Sequence, residues 1–153
     1  MSYEQRLQDL GITLPETPTP VANYVPGVIT GNLLFLSGQG PRKPDGTFEL
    51  GLVGADVDTE TAYAHARLTG LFLLSAARSL LGTLDRVEQV VKLLAMVRAT
   101  PDYPDQPKVA NGLSDLMVEV FGDAGRHARS AVGMGSLPNG MTFEAEAILQ
   151  IRP

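Results

Sequence analysis

Arg126–Ile151, RHARSAVGMGSLPNGMTFEAEAILQI, reads as two strands joined by a turn. Arg129, Ala131 and Gly133 alternate with Ser130, Val132 and Met134, and Pro138-Asn139-Gly140 then supplies turn chemistry. Beyond it Phe143, Ala145, Ala147, Leu149 and Ile151 alternate with Thr142, Glu144, Glu146, Ile148 and Gln150. Side chains on a strand change face with period two. The second strand therefore has one apolar face and one face carrying two carboxylates. A hairpin register with Arg129 on the carboxylate side gathers an arginine and two glutamates on one surface.

Upstream, the pattern supplies a scaffold for that surface. Asp58 caps a helix predicted over Thr59–Leu81, with Ala62, Ala66, Leu73, Ala77 and Leu80 at helical spacing and Gly82 as its stop. Val87–Val97 is a strand with Val91, Leu93, Ala95 and Val97 on one face, and with Leu94 and Met96 making the other face apolar too. Pro107 opens a second helix running to Phe121, whose stripe is Val109, Leu113, Leu116, Met117 and Val120. Nearer the start, Val21–Ile29 and Leu33–Ser37 are strand candidates around a turn at Thr30-Gly31-Asn32. The unbroken apolar run Leu33–Leu36 suggests burial on both faces. Ser2–Leu10 reads as a short capped helix, Pro15–Pro20 as an extended lead-in, and Gly40–Gly54 as a long loop.

This order predicts an α+β fold, a mixed β-sheet with two main helices packed on one face. The domain expected is 21–153, preceded by the helix and lead-in of 1–20. Two helices cover one side only, so the apolar residues on the other side point to a second copy of the chain and a closed homo-oligomer.

At 153 residues, with 44% hydrophobic residues, the chain is long enough for one aliphatic core. A net charge of −5 and the lack of a Lys/Arg cluster argue against a nucleic-acid groove. The absence of cysteine rules out disulfides, a thiol nucleophile and Cys-ligated zinc. No signal pattern or membrane-length apolar run is evident, which gives the expectation of a cytoplasmic protein with no membrane partner.

Arg129 is the leading candidate for chemistry, since a guanidinium offers a bidentate fork to a small acid. A cross-strand salt bridge to Glu144 or Glu146 is the competing reading. Glu144 and Glu146 share a face, and one of them is placed to orient or deprotonate water; two solvated carboxylates are the plain alternative. Ser37-Gly38-Gln39-Gly40 closes an apolar strand and lets backbone approach a ligand, but lacks the spacing of a dinucleotide or phosphate loop. Tyr24 and Asn111 offer hydrogen bonds to a pocket. His65 and His127 have no spaced ligand partners, so no metal site is predicted.

Taken together, Arg129-Ser130, Leu137-Pro138 and Phe143-Glu144-Ala145-Glu146-Ala147 resemble the C-terminal signature of the YjgF/Rid (reactive intermediate deaminase) family, also labelled endoribonuclease L-PSP. Tyr24-Val25-Pro26-Gly27-Val28, Gly31-Asn32, Leu36-Ser37-Gly38-Gln39, Val90-Val91-Lys92 and Val109-Ala110-Asn111 extend the likeness over about 21–152. The resemblance implies a chorismate-mutase-like fold and a homotrimer with ligand clefts between subunits. It also implies cofactor-independent hydrolysis of 2-imino acids to 2-keto acids and ammonia. On that likeness Arg129 holds the substrate carboxylate, Glu144 activates water, Gly38 offers its backbone N–H, and Tyr24 and Asn111 line the pocket. Ala131 stands where the family often has cysteine and would shape the pocket. The N-terminal helix and the Gly40–Gly54 loop mark a longer branch. A non-catalytic, small-carboxylate-binding regulatory trimer and an endoribonuclease are the alternatives; charge and the missing histidine pair count against the latter.

Overall fold

The computed structural model describes residues 2–153. Helix α1 (Tyr3–Asp9) is capped by Ser2, whose Oγ accepts the Gln5 N–H at 3.0 Å, and the chain leaves it through Gly11 at φ +68°. Asp85 Oδ1 accepts the Tyr3 N–H at 2.6 Å, and Glu4 Oε1 accepts the Leu84 N–H at 2.9 Å. The Tyr3 ring meets Phe121 edge-on at 4.8 Å. The Pro-rich lead-in is tied down by Ser75, whose Oγ donates to the Pro15 carbonyl at 2.5 Å and lies 2.8 Å from Thr17 Oγ1.

Helix α2 (Thr59–Leu81) has the predicted limits. Asp58 Oδ1 accepts the Thr61 N–H at 2.8 Å, and Gly82 ends the helix at φ +81°, a conformation that costs a residue without Cβ little. Ala62, Ala66, Leu73 and Ala77 are buried as their spacing predicts, whereas Leu80 is on the exposed flank. Helix α3 (Gln106–Phe121) buries its whole predicted stripe. The two helices cross where Gly112 touches α2: a Cβ there would lie 2.1 Å from the Tyr63 carbonyl oxygen.

Five strands form one mixed sheet, in the order β1-β2-β5-β3-β4: β1 (Gly27–Thr30), β2 (Leu33–Gln39), β3 (Val87–Arg98), β4 (Ala128–Met134) and β5 (Phe143–Ile151). Both main helices pack on one face. The strand predicted over Val21–Ile29 is confined to Gly27–Thr30 and its turn, because Pro26 ends what precedes it.

The hairpin expected for Arg126–Ile151 does not form. β4 and β5 do not pair; β3 lies between them, antiparallel to β5 and parallel to β4. The reason is the succession β3-α3-β4, a strand–helix–strand unit whose crossover returns the chain parallel to its start. β3 is apolar on both faces and takes an inner position, leaving β4 at the edge.

This register separates the charged residues. Arg129 pairs with Leu93, and Glu144 pairs with Met96. Positions 93 and 96 point to opposite faces, so Arg129 is on the helix side and the two glutamates are on the open side. The cross-strand Arg129–Glu pair is thereby excluded within one chain. On β3, Leu93, Ala95 and Val97 are buried under the helices as predicted, but Val91 is not: a register irregularity between Val90 and Lys92 turns Val90 inward instead. Within a single chain the run Leu33–Leu36 is buried on one face only. Leu34 and Leu36 are inside, while Phe35 is 41% exposed beside half-buried Leu94 and Ile148.

Candidate functional site

The candidate residues fall into two clusters. The first surrounds a cavity of about 300 Å³ between the lead-in, the end of β2 and the start of β5, lined by Val21, Tyr24, Gly38, Arg42, Phe48 and Glu144. The end of β2 builds it. The Ser37 N–H donates to the Pro26 carbonyl at 2.9 Å and Ser37 Oγ donates to the Val25 carbonyl at 2.5 Å, which draws Tyr24–Pro26 alongside the strand. A register irregularity between Leu36 and Gln39 displaces Gly38 from regular pairing with β5. Space is tight at Gly38: a Cβ would lie 3.0 Å from Glu144 Oε2 and 3.3 Å from its carboxyl carbon. Gly38→Ala is therefore expected to push the Glu144 carboxyl aside. A shift of the Glu144 carboxyl titration followed by NMR, with the folding midpoint nearly unchanged, checks it.

Glu144 is half-buried, and burial raises its pKa above the ordinary carboxylate value, with the negative charge of Glu146 adding to the rise. A carboxyl tuned upward is a stronger base once ionised. Glu146 is exposed and belongs to the shallow apolar groove on the open sheet face, with Phe35, Lys92 and Leu94.

Arg129 anchors the second cluster. Its Nη1 donates to Asn111 Oδ1 at 2.8 Å and to Ser114 Oγ at 3.0 Å, both from α3 and one helical step apart. Ser114 Oγ lies 2.8 Å from His127 Nε2, and His127 Nδ1 lies 2.7 Å from the Gly125 carbonyl. A carbonyl only accepts, so Nδ1 carries the proton; in the neutral ring Nε2 then accepts from the serine hydroxyl. Burial lowers the His127 pKa, and Arg129 nearby lowers it further, so the neutral form is favoured. Only Nη1 of the guanidinium makes these bonds, which leaves Nε and Nη2 for a ligand. Ala131 is on the same strand face, half-buried against the core.

The sequence reading expects all five residues in one pocket; within one chain the structure brings Tyr24, Gly38 and Glu144 together and, on the other face of the sheet, Arg129 with Asn111. That reading passed over Ser114 and Arg42, and it considered His127 only as a metal ligand. An i, i+3 spacing of Asn111 and Ser114 on a helix that precedes the Arg129 strand was the available signal for Ser114. His65 is structural: Nδ1 is 2.7 Å from the buried Thr142 Oγ1 and Nε2 is 3.5 Å from Glu49 Oε2, which holds the long loop to the body. Among the described residues, no group of three or more His, Asp or Glu is placed to hold a metal ion, and no helix is long and apolar enough to cross a membrane.

Protein TCP17 of Trypanosoma cruzi is 43% identical over 146 residues, covering 95% of this chain and 91% of that protein. A 2-iminobutanoate/2-iminopropanoate deaminase of Dermatophagoides farinae is 29% identical over 140 residues, covering 92% and 94%. The crystal structure of a "putative endoribonuclease" from Shewanella oneidensis superposes with a TM-score of 0.94 at 31% identity, covering 99% of this chain and 100% of that one. A family model described as "YjgF/chorismate_mutase-like, putative endoribonuclease" matches residues 4–141, and with a five-stranded mixed sheet under two helices the chain belongs to that YjgF family.

Proposed function

We propose that this protein hydrolyses small 2-imino acids to 2-keto acids and ammonia, at clefts between the subunits of a homotrimer. The observation that carries the reading is the division of the site. A tuned carboxyl sits in one open cavity, and an arginine with unused donors sits on the other side of the sheet. In one chain Arg129 and Glu144 do not meet; between copies, Arg129 of one subunit reaches the Glu144 cavity of the next. The apolar open face, with Val28 and Phe35 exposed, supplies surface for such a contact. The imine deaminase relative supports the reaction class.

The chemistry asks little of the protein. Arg129 binds the substrate carboxylate through its free donors and fixes the position of C2. Glu144 takes a proton from water as the oxygen bonds to C2, and the C=N π electrons pass to nitrogen, which is protonated. The hydroxyl proton of the resulting carbinolamine then passes to nitrogen by way of Glu144 as the C–N bond breaks, so that the carbonyl forms and ammonia leaves. One water is consumed, and one keto acid and one ammonia leave. No redox cofactor enters the balance, because exchanging nitrogen for oxygen leaves the oxidation state of C2 unchanged.

An RNA-cleaving reading fits the site less well. His65 is enclosed by Thr142 and Glu49, and His127 is committed to Ser114 and Gly125. A regulatory role for bound carboxylate retains the same Arg129 anchor and is separated by turnover. The test is the decay of 2-iminobutanoate and 2-iminopropanoate with and without protein, with keto acid and ammonia both quantified. Faster decay is expected, with kcat/KM falling as pH drops through an inflection above the ordinary carboxylate range, since protonation removes the base. Unchanged decay for both substrates overturns the assignment.

A further inference from the structure

Arg42 faces the same cavity as Glu144, Gly38 and Tyr24. It is presented by a built segment of the long loop. Arg42 and Phe48 form an isolated antiparallel bridge, the Lys43 N–H donates to the Thr47 carbonyl at 2.6 Å, and the Glu49 N–H donates to the Pro41 carbonyl at 2.9 Å. Asp45 closes the turn, accepting the Thr47 N–H at 2.9 Å. The Arg42 guanidinium lies over the Phe48 ring, 4.5 Å from its centre, and Nη1 donates to the Gly46 carbonyl at 2.9 Å. These contacts aim the side chain without neutralising it. Among the described residues no carboxylate lies within 4 Å of its guanidinium: Asp45, the nearest acid in sequence, is bound by Thr47, and Glu49 is turned to His65. One carbonyl occupies one of five guanidinium donors.

A half-buried, oriented cation with spare donors, in a cavity of ligand size, is an anion subsite. The proposed reaction already assigns the α-carboxylate to Arg129, on the other face of the sheet. A small neutral side chain, as in 2-iminopropanoate, would leave the spare Arg42 donors without a ligand partner. A side-chain carboxylate would satisfy them. Resting on the imine-hydrolysis reading, we propose that Arg42 is a second anion anchor, and that the preferred substrates are 2-imino dicarboxylic acids of four or five carbons. Arg42 serves as a specificity residue, with Phe48 holding its plane and the loop turn holding its direction.

Imines generated in situ by amino acid oxidases from glutamate and from 2-aminobutanoate provide the two substrate classes. The wild type is expected to favour the dicarboxylate in kcat/KM. Arg42→Ala is expected to lower the dicarboxylate-to-monocarboxylate ratio by about 10- to 100-fold, the range of one charge-assisted bond. Arg42→Lys should recover part of it, which a merely loop-stapling role would not predict. Calorimetric binding of 2-oxoglutarate and 2-oxobutanoate gives a readout independent of turnover, with 2-oxoglutarate tighter in the wild type and weakened by Arg42→Ala. An equal ratio in wild type and Arg42→Ala, with equal 2-oxoglutarate affinity, overturns the Arg42 assignment while leaving imine hydrolysis intact. Binding of 2-oxoglutarate through Arg42 with no turnover of either imine supports the anchor and overturns the reaction.

Discussion

Phe143→Ala is expected to destabilise the fold by about 3–5 kcal/mol, a large share of the roughly 5–15 kcal/mol available to a domain. The ring is fully buried, on the helix-facing side of β5, opposite the equally buried Val97 of β3. Its burial depends on the period-two alternation that places Phe143, Ala145, Ala147, Leu149 and Ile151 on one face. The adjacent residues on that face, Ala145 and Ala147, are too small to fill the space. The next residue is Glu144, and the cavity wall shifts with the strand. Urea unfolding should show a lower midpoint with an unchanged slope, which marks a loss of stability without a change in the surface exposed. Phe143→Leu, which keeps most of the volume, should cost far less. A shift under about 1 kcal/mol for Phe143→Ala would mean the site is not tightly packed.

Phe143 illustrates what the sequence makes legible. Alternation within a strand and stripes along a helix are local, and they are enforced by burial, so β5 and both main helices follow directly. The caps Asp58 and Gly82 are equally local, because each satisfies backbone groups within one turn. Pairing between strands is not local. Pro138-Asn139-Gly140 is a real turn, with Asn139 at φ 60° and Gly140 at φ 75°, but it lies in a connection that passes β3 rather than in a hairpin. The better guide was the strand–helix–strand order, which calls for parallel pairing of β3 and β4. The irregularity between Val90 and Lys92 carries no residue-type signal, so counting from Val91 put the wrong valine inside.

The site was legible to the extent that its members are close on one element. Glu144 and Gly38 meet because β2 and β5 are neighbours, and Arg129 meets Asn111 because α3 leads into β4. Arg42 sits in an irregular loop with no periodicity to mark its direction; only the bridge to Phe48 reveals it. That Arg129 and Glu144 occupy opposite faces depends on the position of β3, which strand patterning alone does not contain.

Arg129→Ala and Glu144→Gln are each expected to lower kcat/KM for imine hydrolysis by two to four orders of magnitude, on the order of 3–5 kcal/mol of transition-state stabilisation. The more telling result concerns their mixture. If one subunit supplies Arg129 and its neighbour supplies Glu144, a site is intact whenever a subunit keeping the arginine adjoins one keeping the glutamate in the right order. Random re-association of equal amounts of the two variants then restores about a quarter of the sites, because each required residue is present with a probability of about one half. Activity should rise from near zero to about a quarter of the wild-type value only after the subunits have exchanged, for instance by mild denaturation and refolding together. The mixture before exchange is the control, and the double variant Arg129→Ala/Glu144→Gln mixed with wild type gives the same share if subunits assort freely. Sites formed within one chain predict no recovery at all, since neither variant then contains a complete set. The register supports the first outcome: Leu93 and Met96 point to opposite faces, and each carries one of the two required residues alongside it. Recovery near a quarter would place the reaction between subunits, and a mixture that stays inactive after demonstrated exchange would return the search for the anchoring cation to Arg42, which already shares the cavity with Glu144.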